Sequence, residues 1–282
     1  MVKIAVFDID GTIRNKSLTE SFVEHLIKQG YIARRKEEEL RAQRRKYKAK
    51  DSKEEYDNYT KMLSEALITA ISGLSELDLA VLANQAVREY GHEDYSYTKR
   101  VIKALRSAGY KMIVVSGSID FLVKEFGKQY KFDVYHGHGY EPIEDNKYRF
   151  CEPVSWHNKE NIINKIIHDY GWKDVIESYV AVGDTAGDFT MMEQAGHSIA
   201  INPSEELVDL MVESAKKGKT WHVVSERKKF PNKSCISPDQ TGQDRVLLTN
   251  AMFLKNKNDT GLDFLNPSQK FENFKLLTDF TN

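Results

Sequence analysis

Four aspartates stand at two places in the chain where they could share one reaction centre. Asp8 and Asp10 end one apolar run, and Asp184 and Asp188 follow another. Two carboxylates about 4 Å apart repel each other by roughly 4 kcal/mol at an effective dielectric constant of about 20, so a site that gathers four has to bind positive charge. All-oxygen, carboxylate-rich ligation suits a hard cation, and Mg²⁺ in particular keeps waters and shares its shell with a substrate phosphate.

The segment from Asp8 to Gly11 has two other interpretations. A calcium-binding EF-hand loop would need an acid or Asn at its fifth position and Glu at its twelfth, where this chain has Thr12 and Thr19, so that interpretation fails. The segment could also be a simple hairpin turn between apolar residues. Taken alone, it leaves this second alternative open.

Two further segments offer groups that bind a phosphoryl oxygen. Ser116 and Gly117 end an apolar run with a hydroxyl and an unhindered backbone N–H, which suit a phosphate at a helix N-terminus. Lys159 begins an amphipathic stretch, where a cation opposes the helix dipole. This unfavourable placement indicates that Lys159 has a function there. Each signal is weak by itself, because Ser and Gly are the default turn residues and Lys is ordinary on a helix surface.

Alternating strands and helices must position these groups. Short apolar runs predict strands buried on both faces, and the helical spacing between them predicts a doubly wound parallel sheet. Ligands of such sheets bind at the carboxyl ends of the strands, so the four aspartates are expected to converge. The predicted strands are Lys3–Ile9, Lys111–Ser118, Tyr179–Gly183 and Ser198–Asn202, and the predicted helices include Thr98–Ser107, Ile162–Tyr170 and Phe189–Gln194.

Before Tyr97 the pattern changes. Some 80 residues after the first strand lack a clear strand and show helical spacing, so helices are expected to dominate there. Arg34–Lys50 carries nine Lys/Arg against three Glu. This run is either a solvated helix face or a basic lip over an anionic substrate.

Two later segments carry weaker signals. Residues 132–150 predict a two-stranded hairpin around Glu144–Asn146, and the alternation of His136 and His138 would place both on one strand face, as metal ligands could be, although no third ligand is evident nearby. After about Arg227 the composition turns polar, and only Val246–Leu254 predicts a further helix. This tail could dock on the core or on another subunit, which leaves a homo-oligomer open.

Composition excludes several classes of protein. A chain of 282 residues with 40% hydrophobic residues can bury a core without disulfides, and its two cysteines, Cys151 and Cys235, lie far apart and outside any CxxC. A net charge of −1 gives no field that would steer it to nucleic acid or an anionic membrane. Asp8 interrupts the first apolar run too early for a secretory signal, and no run approaches the roughly 18 residues of a membrane span. A cytoplasmic protein without nucleic-acid or membrane partners is expected.

Taken in chain order, these segments resemble the four motifs of the haloacid dehalogenase-like (HAD) hydrolase superfamily. The resemblance extends over about residues 1–14 and 98–228, and its layout looks like the phosphoserine-phosphatase-like branch. The long separation of Asp8 from Ser116 leaves room for the helical cap that this superfamily often inserts there. The resemblance implies a Rossmann-like α/β core over residues 1–16 and 95–230 with its last strand from Trp221, a helical cap over 17–94 and a C-terminal extension over 231–282. Its motif residues are Asp8-Ile9-Asp10-Gly11-Thr12, Ser116-Gly117, Lys159 and Gly183-Asp184-Thr185-Ala186-Gly187-Asp188.

The resemblance also implies a mechanism. Asp8 would attack phosphorus and form an aspartyl-phosphate, while Asp10 would act as general acid and then as general base. A Mg²⁺ ion would be bound by Asp8, by the backbone carbonyl of Asp10 and by Asp184, with Asp188 ligating through water or orienting Lys159. The phosphoryl oxygens would be held by Thr12, Ser116, Gly117 and Lys159.

The implied function is a Mg²⁺-dependent phosphatase that acts on a small phosphorylated metabolite. Asp10 favours phosphoryl over carbon–halogen chemistry, because dehalogenases lack that second aspartate. A phosphotransferase or phosphomutase on the same scaffold is the first alternative, and a non-catalytic binding protein that retains the fold is the second.

The resemblance does not identify the substrate. Phosphoserine phosphatases have a substrate-binding glutamate nine residues after the nucleophile, where this chain has Ser17, and the nearest acid is Glu20. Specificity contacts are expected from the helical cap. The candidates there are Glu20, Arg34, Arg35 and Tyr47.

Overall fold

The structure, a computed structural model, describes residues 1–50, 52–90, 94–143, 147–151, 159–224 and 251–254. Its strands are β1 (Val2–Phe7), β2 (Lys111–Ile119), β3 (Val134–His138), β4 (Tyr140–Ile143), β5 (Lys147–Phe150), β6 (Ile176–Gly183), β7 (His197–Ile201), β8 (Trp221–Val224) and β9 (Ala251–Leu254). Its helices are α1 (Leu18–Lys28), α2 (Arg34–Lys50), α3 (Lys53–Ile71), α4 (Glu76–Glu89), α5 (Ser96–Ser107), α6 (Asp120–Gln129), α7 (Lys159–Asp169), α8 (Phe189–Gln194) and α9 (Glu205–Lys216).

The main sheet is parallel throughout the described residues. Its seven strands lie in the order β3-β2-β1-β6-β7-β8-β9, and each neighbouring pair is parallel. The chain starts in the middle of the sheet, adds β2 and β3 on one side, and then returns to build the other side outward from β6. This doubly wound, Rossmann-like α/β arrangement confirms the predicted fold class, and it creates a switch in strand order beside β1.

Strand β1 shows why the apolar runs become central strands. Its residues from Ile4 to Phe7 are fully buried. Ala5 and Phe7 pack on one face of the sheet with residues of α5 and α6, whereas Ile4 and Val6 pack on the other face with residues of α7, α8 and α9. A strand covered by helices on both faces has no polar side, so it reads as a continuous apolar run.

The segment between β1 and α5 is helical, as predicted. Serines mark three of the helix starts: the side chains of Ser17, Ser52 and Ser75 accept hydrogen bonds from the third residue of α1, α3 and α4. Such N-caps satisfy backbone N–H groups that have no partner within the helix. The buried faces of these helices join the same apolar core as α5 and α6.

Residues 132–150 contain one strand more than predicted. β3 pairs with β2 at the edge of the main sheet, and β4 pairs antiparallel with β5 as a separate ribbon. Residues 144–146 lie outside the described residues. His136 and His138 both lie on β3, but they belong to no group of three metal-ligating side chains in the part of the chain that the structure describes.

The helix predicted over Val246–Leu254 is wrong where the structure describes that segment. Ala251–Leu254 is the strand β9, which pairs with β8 in the main sheet. Residues 246–250 lie outside the described residues. Without β9, β8 would present a row of unpaired backbone groups at the sheet edge, so this part of the tail docks on the core.

The strand from Trp221, predicted as the last strand of the core, therefore has β9 as a further neighbour in the sheet.

Among the helices that the structure describes, none combines the length and apolar character needed to cross a membrane.

Candidate active site

The carboxyl ends of β1, β2 and β6 lie side by side at one edge of the sheet. Phe7, the last residue of β1, is in register with Val114 of β2 and Val182 of β6. The backbone N–H of Asp8 donates to the carbonyl oxygen of Val182 at 3.0 Å. The residues that follow these positions therefore lie around one crevice at the switch in strand order.

Lys159 joins residues from three distant parts of the chain. Its Nζ donates to Oδ1 of Asp8 at 2.7 Å and to Oδ1 of Asp188 at 2.6 Å, and all three side chains are buried. Burial acts to lower the pKa of Lys159, but the charges of Asp188 and Asp8 outweigh it and raise that pKa. Lys159 therefore remains an ammonium ion inside the crevice.

The turn after β6 is built around Asp188. Oδ2 of Asp188 accepts hydrogen bonds from the backbone N–H groups of Asp184 and Thr185, each at 3.0 Å, and from Oγ1 of Thr185 at 3.1 Å. On the other side of the turn, Oγ1 of Thr12 donates to Oδ1 of Asp184 at 2.9 Å. These bonds hold the Asp184 carboxylate against the loop that follows β1.

Three carboxylates in this crevice could hold a metal ion. Asp8, Asp184 and Asp188 each place one carboxylate oxygen so that all three lie within 4.8 Å of one another. Burial raises the pKa of Asp8 to about 7, with Lys159 opposing it, and burial together with Asp188 and Asp8 raises the pKa of Asp184 well above its usual value. The single charge of Lys159 does not neutralise three carboxylates. This all-oxygen donor set therefore fits a hard divalent cation.

Asp10 is held apart from that cluster by its own donors. Oδ1 of Asp10 accepts a hydrogen bond from the backbone N–H of Leu18 at 2.7 Å, and Oδ2 accepts one from Oγ of Ser118 at 2.7 Å. Burial raises the pKa of Asp10 against the effect of these bonds. The carboxyl group is thus fixed in orientation beside, but separate from, the bridge made by Lys159.

Ser118 was not among the residues that the sequence pointed to. Its hydroxyl also accepts a hydrogen bond from Oγ1 of Thr19 at 3.0 Å, so a short chain of hydroxyls leads from α1 to Asp10. The available signal was the Ser-Gly-Ser run from Ser116, in which alternate strand residues share a face. Ser116 itself is fully buried and accepts a hydrogen bond from the backbone N–H of Ser118 at 3.1 Å, whereas Gly117 is exposed. Their role as phosphate ligands stays a prediction.

The predicted specificity residues divide into two groups. Glu20 of α1 accepts a hydrogen bond from Nη2 of Arg44 at 3.0 Å, and the ring of Tyr47 packs against two further tyrosines. Arg34 and Arg35 lie instead at the exposed start of α2, with 91% and 92% of their side chains accessible, and they pair with the glutamates four residues later. The basic run is thus a solvated face at that end.

Tyr56 is a second residue that the sequence did not reveal. It lies on α3, is 49% exposed, and its ring packs against Tyr47 with centroids 5.3 Å apart. Burial, Tyr47 and the carboxylates of Asp10 and Asp184 raise the pKa of Tyr56 to about 12. Its hydroxyl is therefore within electrostatic reach of the acidic crevice.

Gly11 allows the loop after β1 to approach Asp184. It has φ of +91°, and a Cβ at this position would lie 1.9 Å from Oδ2 of Asp184. Gly11→Ala is expected to lower the free energy of unfolding in urea by about 1–2 kcal/mol through left-handed backbone strain and by about 2 kcal/mol more through overpacking. Gly109→Ala is the matched control, because Gly109 has φ of +81° and a Cβ added there would have open space for 4 Å around it. Equal losses in both variants would contradict the close packing on Asp184.

The fold and the site together define a class of protein. Residues 5–193 match the haloacid dehalogenase-like hydrolase family. Because this match covers more than half of the chain, the protein belongs to that family, and the family predicted from the four motifs is confirmed.

Comparison with individual proteins adds a curated relative. The chain is 33% identical over 119 residues to a phosphoserine phosphatase of Archaeoglobus fulgidus. The aligned part covers 40% of this chain and 33% of that protein. The chain thus matches about a third of the length of this relative.

Solved structures share the fold. A protein of unknown function from Bordetella pertussis Tohama I superposes with a TM-score of 0.63 and 17% identity, over 79% of this chain and 98% of that one. A substrate-bound phosphoserine phosphatase superposes with a TM-score of 0.50 and 20% identity, over 74% of this chain and 90% of that one. At these identities the likeness concerns the fold alone.

Proposed function

We propose that this protein is a phosphatase that hydrolyses a small-molecule phosphate monoester with Mg²⁺ as its cofactor. The observation that carries the proposal is the bridge from Lys159 to Asp8 and Asp188, with Asp10 held separately by Leu18 and Ser118. Asp8 is thus paired with a buried cation, and Asp10 is oriented by neutral donors. Hydrolysis through a covalent intermediate requires these two different roles.

In the first step, Asp8 is the nucleophile. A carboxylate oxygen of Asp8 bonds to phosphorus, the bond from phosphorus to the substrate oxygen breaks, and Asp10 gives its proton to that departing oxygen. The product alcohol leaves, and the phosphoryl group stays on Asp8 as an aspartyl-phosphate.

In the second step, Asp10 removes a proton from a water molecule, whose oxygen attacks phosphorus. The bond between phosphorus and Asp8 breaks, so inorganic phosphate leaves and both carboxyl groups return to their starting states. The phosphoryl oxygens would be bound by Thr12, Ser116, Gly117 and Lys159 during both steps.

A Mg²⁺ ion would be held by the carboxylates of Asp8 and Asp184 and by the backbone carbonyl of Asp10. Asp188, through water or by orienting Lys159, would complete the set. When bound, the ion supplies positive charge that offsets the charges of the phosphate and of the carboxylates. Lys159 adds a fixed positive charge to the crevice.

We propose that residues 17–94 form a cap that receives the alcohol part of the substrate, over a core of residues 1–16 and 95–230. Glu20 lies in the first turn of α1, two residues after the backbone N–H that binds Asp10. Arg44 of α2 forms an ion pair with Glu20 at 3.0 Å, and Tyr47 packs against both Tyr59 and Tyr56. These contacts support Glu20 and Tyr47 as specificity residues.

Phosphoserine is not the substrate that this cap favours. Ser17, at the position of the missing glutamate, caps α1 by accepting a hydrogen bond from the backbone N–H of Glu20 at 3.4 Å. Its Oγ lies 3.5 Å from Oδ2 of Asp10. A hydroxyl in this place offers no charge to a substrate ammonium group.

The function is tested by a screen of phosphorylated metabolites for Mg²⁺-dependent release of inorganic phosphate. A phosphatase releases phosphate in equal amount to the alcohol product. A phosphorylated acceptor that accumulates in place of free phosphate would show a phosphotransferase instead. No turnover of any substrate, including generic aryl phosphates, would contradict the proposal.

The hydroxyl of Ser118 provides a test of the role of Asp10. Ser118→Ala is expected to lower kcat by roughly 10-fold to 100-fold, because the general acid loses the donor that orients it. Ser214→Ala is the matched control: its buried hydroxyl also donates to a carboxylate, that of Glu193 at 2.6 Å, but on α9. Steady-state kinetics with an aryl phosphate measure the effect. Equal kcat in the two variants would remove Ser118 from the mechanism.

A further inference from the structure

Arg14 is a buried cation that the proposed mechanism does not use. Its side chain is 1% exposed and forms an ion pair with Asp94, also 1% exposed, with 3.6 Å between Nε and Oδ1. Arg14 lies where the chain leaves β1 for the helical segment, and Asp94 lies where it returns to α5. One buried ion pair thus joins the two connections between the core and the segment proposed as the cap.

The other contacts of Arg14 extend to both ends of the helical segment. Nη2 of Arg14 donates to the carbonyl oxygen of Tyr90 at 2.9 Å, at the C-cap of α4, and to Oγ of Ser21 in α1 at 3.4 Å. The planar guanidinium group has several donors in a fixed geometry, so it can hold these elements at once. A shift of either helix relative to the core would break at least one of these bonds.

The backbone of Arg14 shapes the loop that carries Asp10. Its carbonyl oxygen accepts a hydrogen bond from the N–H of Gly11 at 2.7 Å, and its N–H donates to the carbonyl oxygen of Ile9 at 3.0 Å. Arg14 also forms isolated β-bridges with Asp10 and with Asp94. The same residue therefore contacts the Asp10 loop through its backbone and the helical segment through its side chain.

Stability alone does not explain a buried ion pair. The cost of removing two charges from water offsets most of their attraction, and well-packed apolar residues of similar volume are often as stable or more so. Such pairs are better attested as devices that fix one arrangement of the elements they join. We infer that Arg14, with Asp94, is a positioning residue that holds the helical segment in register with the Asp10 loop for catalysis. This inference rests on the proposed function.

Replacing Arg14 and Asp94 together with apolar residues distinguishes an effect on catalysis from an effect on stability. Arg14→Met and Asp94→Leu made singly each remove one member of the buried ion pair and leave the other charge buried, so both are expected to lower the Tm. The double variant Arg14→Met/Asp94→Leu removes both charges and is expected to recover a Tm close to that of the wild type. Its kcat with an aryl phosphate is nevertheless expected to stay roughly 10-fold to 100-fold low, with KM changed less than about threefold, because Asp10 and the cap are no longer aligned.

Two further variants sharpen the comparison. Arg14→Lys keeps the charge without the fork of donors, and its kcat is expected to lie between those of the wild type and the double variant. Lys28→Met removes an ion pair that joins α1 to α4 within the helical segment, while Glu89 keeps its contact with His25. This control is expected to keep the wild-type kcat, because it leaves the connections to the core intact.

Amide hydrogen exchange gives a readout that does not need activity. In the double variant, peptides covering residues 9–14 and 94–98 are expected to exchange faster than in the wild type, although the Tm is similar. A wild-type protein without phosphatase activity would overturn the proposed function, and the exchange data would then decide the positioning role alone. A double variant with wild-type kcat, or with unchanged exchange in these peptides, would overturn the inference.

Discussion

Asp8→Asn is expected to abolish phosphate release from a generic aryl phosphate, with a loss of about 10³-fold or more, because an amide cannot form the acyl-phosphate bond. Folding should be preserved. Lys159 keeps its contact with Asp188 at 2.6 Å, and the crowded carboxylates lose one negative charge. Far-ultraviolet circular dichroism and thermal unfolding check the fold, and a coupled phosphate assay measures turnover.

The matched control for this variant is Asp174→Asn. Asp174 is an exposed residue between α7 and β6, and its replacement should leave turnover unchanged. A second measurement follows the intermediate directly: after acid quenching, the wild type should retain a phosphoryl group that hydroxylamine releases, and Asp8→Asn should retain none. Undiminished turnover by Asp8→Asn would refute the assignment of the nucleophile.

Removal of divalent metal is expected to have an effect of similar size. EDTA should reduce turnover to the background of the assay, and added Mg²⁺ should restore it, because the crowded carboxylates of Asp8, Asp184 and Asp188 need a cation to remain ionised together. A ligand that binds only the folded state also stabilises it. Mg²⁺ is therefore expected to raise the Tm of the wild type.

Asp184→Asn tests whether this effect comes from the proposed site. The variant is expected to lose the Mg²⁺-dependent rise in Tm, whereas the exposed control Asp174→Asn should keep it. This measurement does not depend on knowing the natural substrate. Turnover that persists undiminished through exhaustive chelation would remove the metal from the mechanism.

The central strands and the groups at their ends can be predicted because a buried strand is visible in the sequence as an unbroken apolar run. A strand covered on both faces has no polar side chains, as from Ile4 to Phe7, so its end is visible in the sequence. The first polar residues after such strands lie at the ligand-binding edge. The convergence of Asp8, Asp184 and Asp188 follows from this rule, and the structure places their oxygens within 4.8 Å of one another.

Other features show no pattern in the sequence, because they depend on elements that lie far apart in the chain. The strand β9 was predicted as a helix, since four apolar residues fit either structure, and the open edge of β8 decides the outcome. Ser118 meets Asp10 only because β2 lies next to β1 in the sheet. The rings of Tyr47 and Tyr56 meet only because α2 and α3 pack together.

The fold class, the family and most of the residues at this edge of the sheet could be predicted from the sequence, because apolar periodicity and short motifs are properties of neighbouring residues. The pairing of these groups could not be predicted in this way, because it depends on how distant elements pack. Lys159 forms ion pairs with Asp8 and Asp188, Thr12 donates a hydrogen bond to Asp184, and Arg14 forms an ion pair with Asp94. Hydrogen bonds and ion pairs act over about 3–4 Å, so partners separated by up to 172 positions along the chain are chosen by packing rather than by spacing.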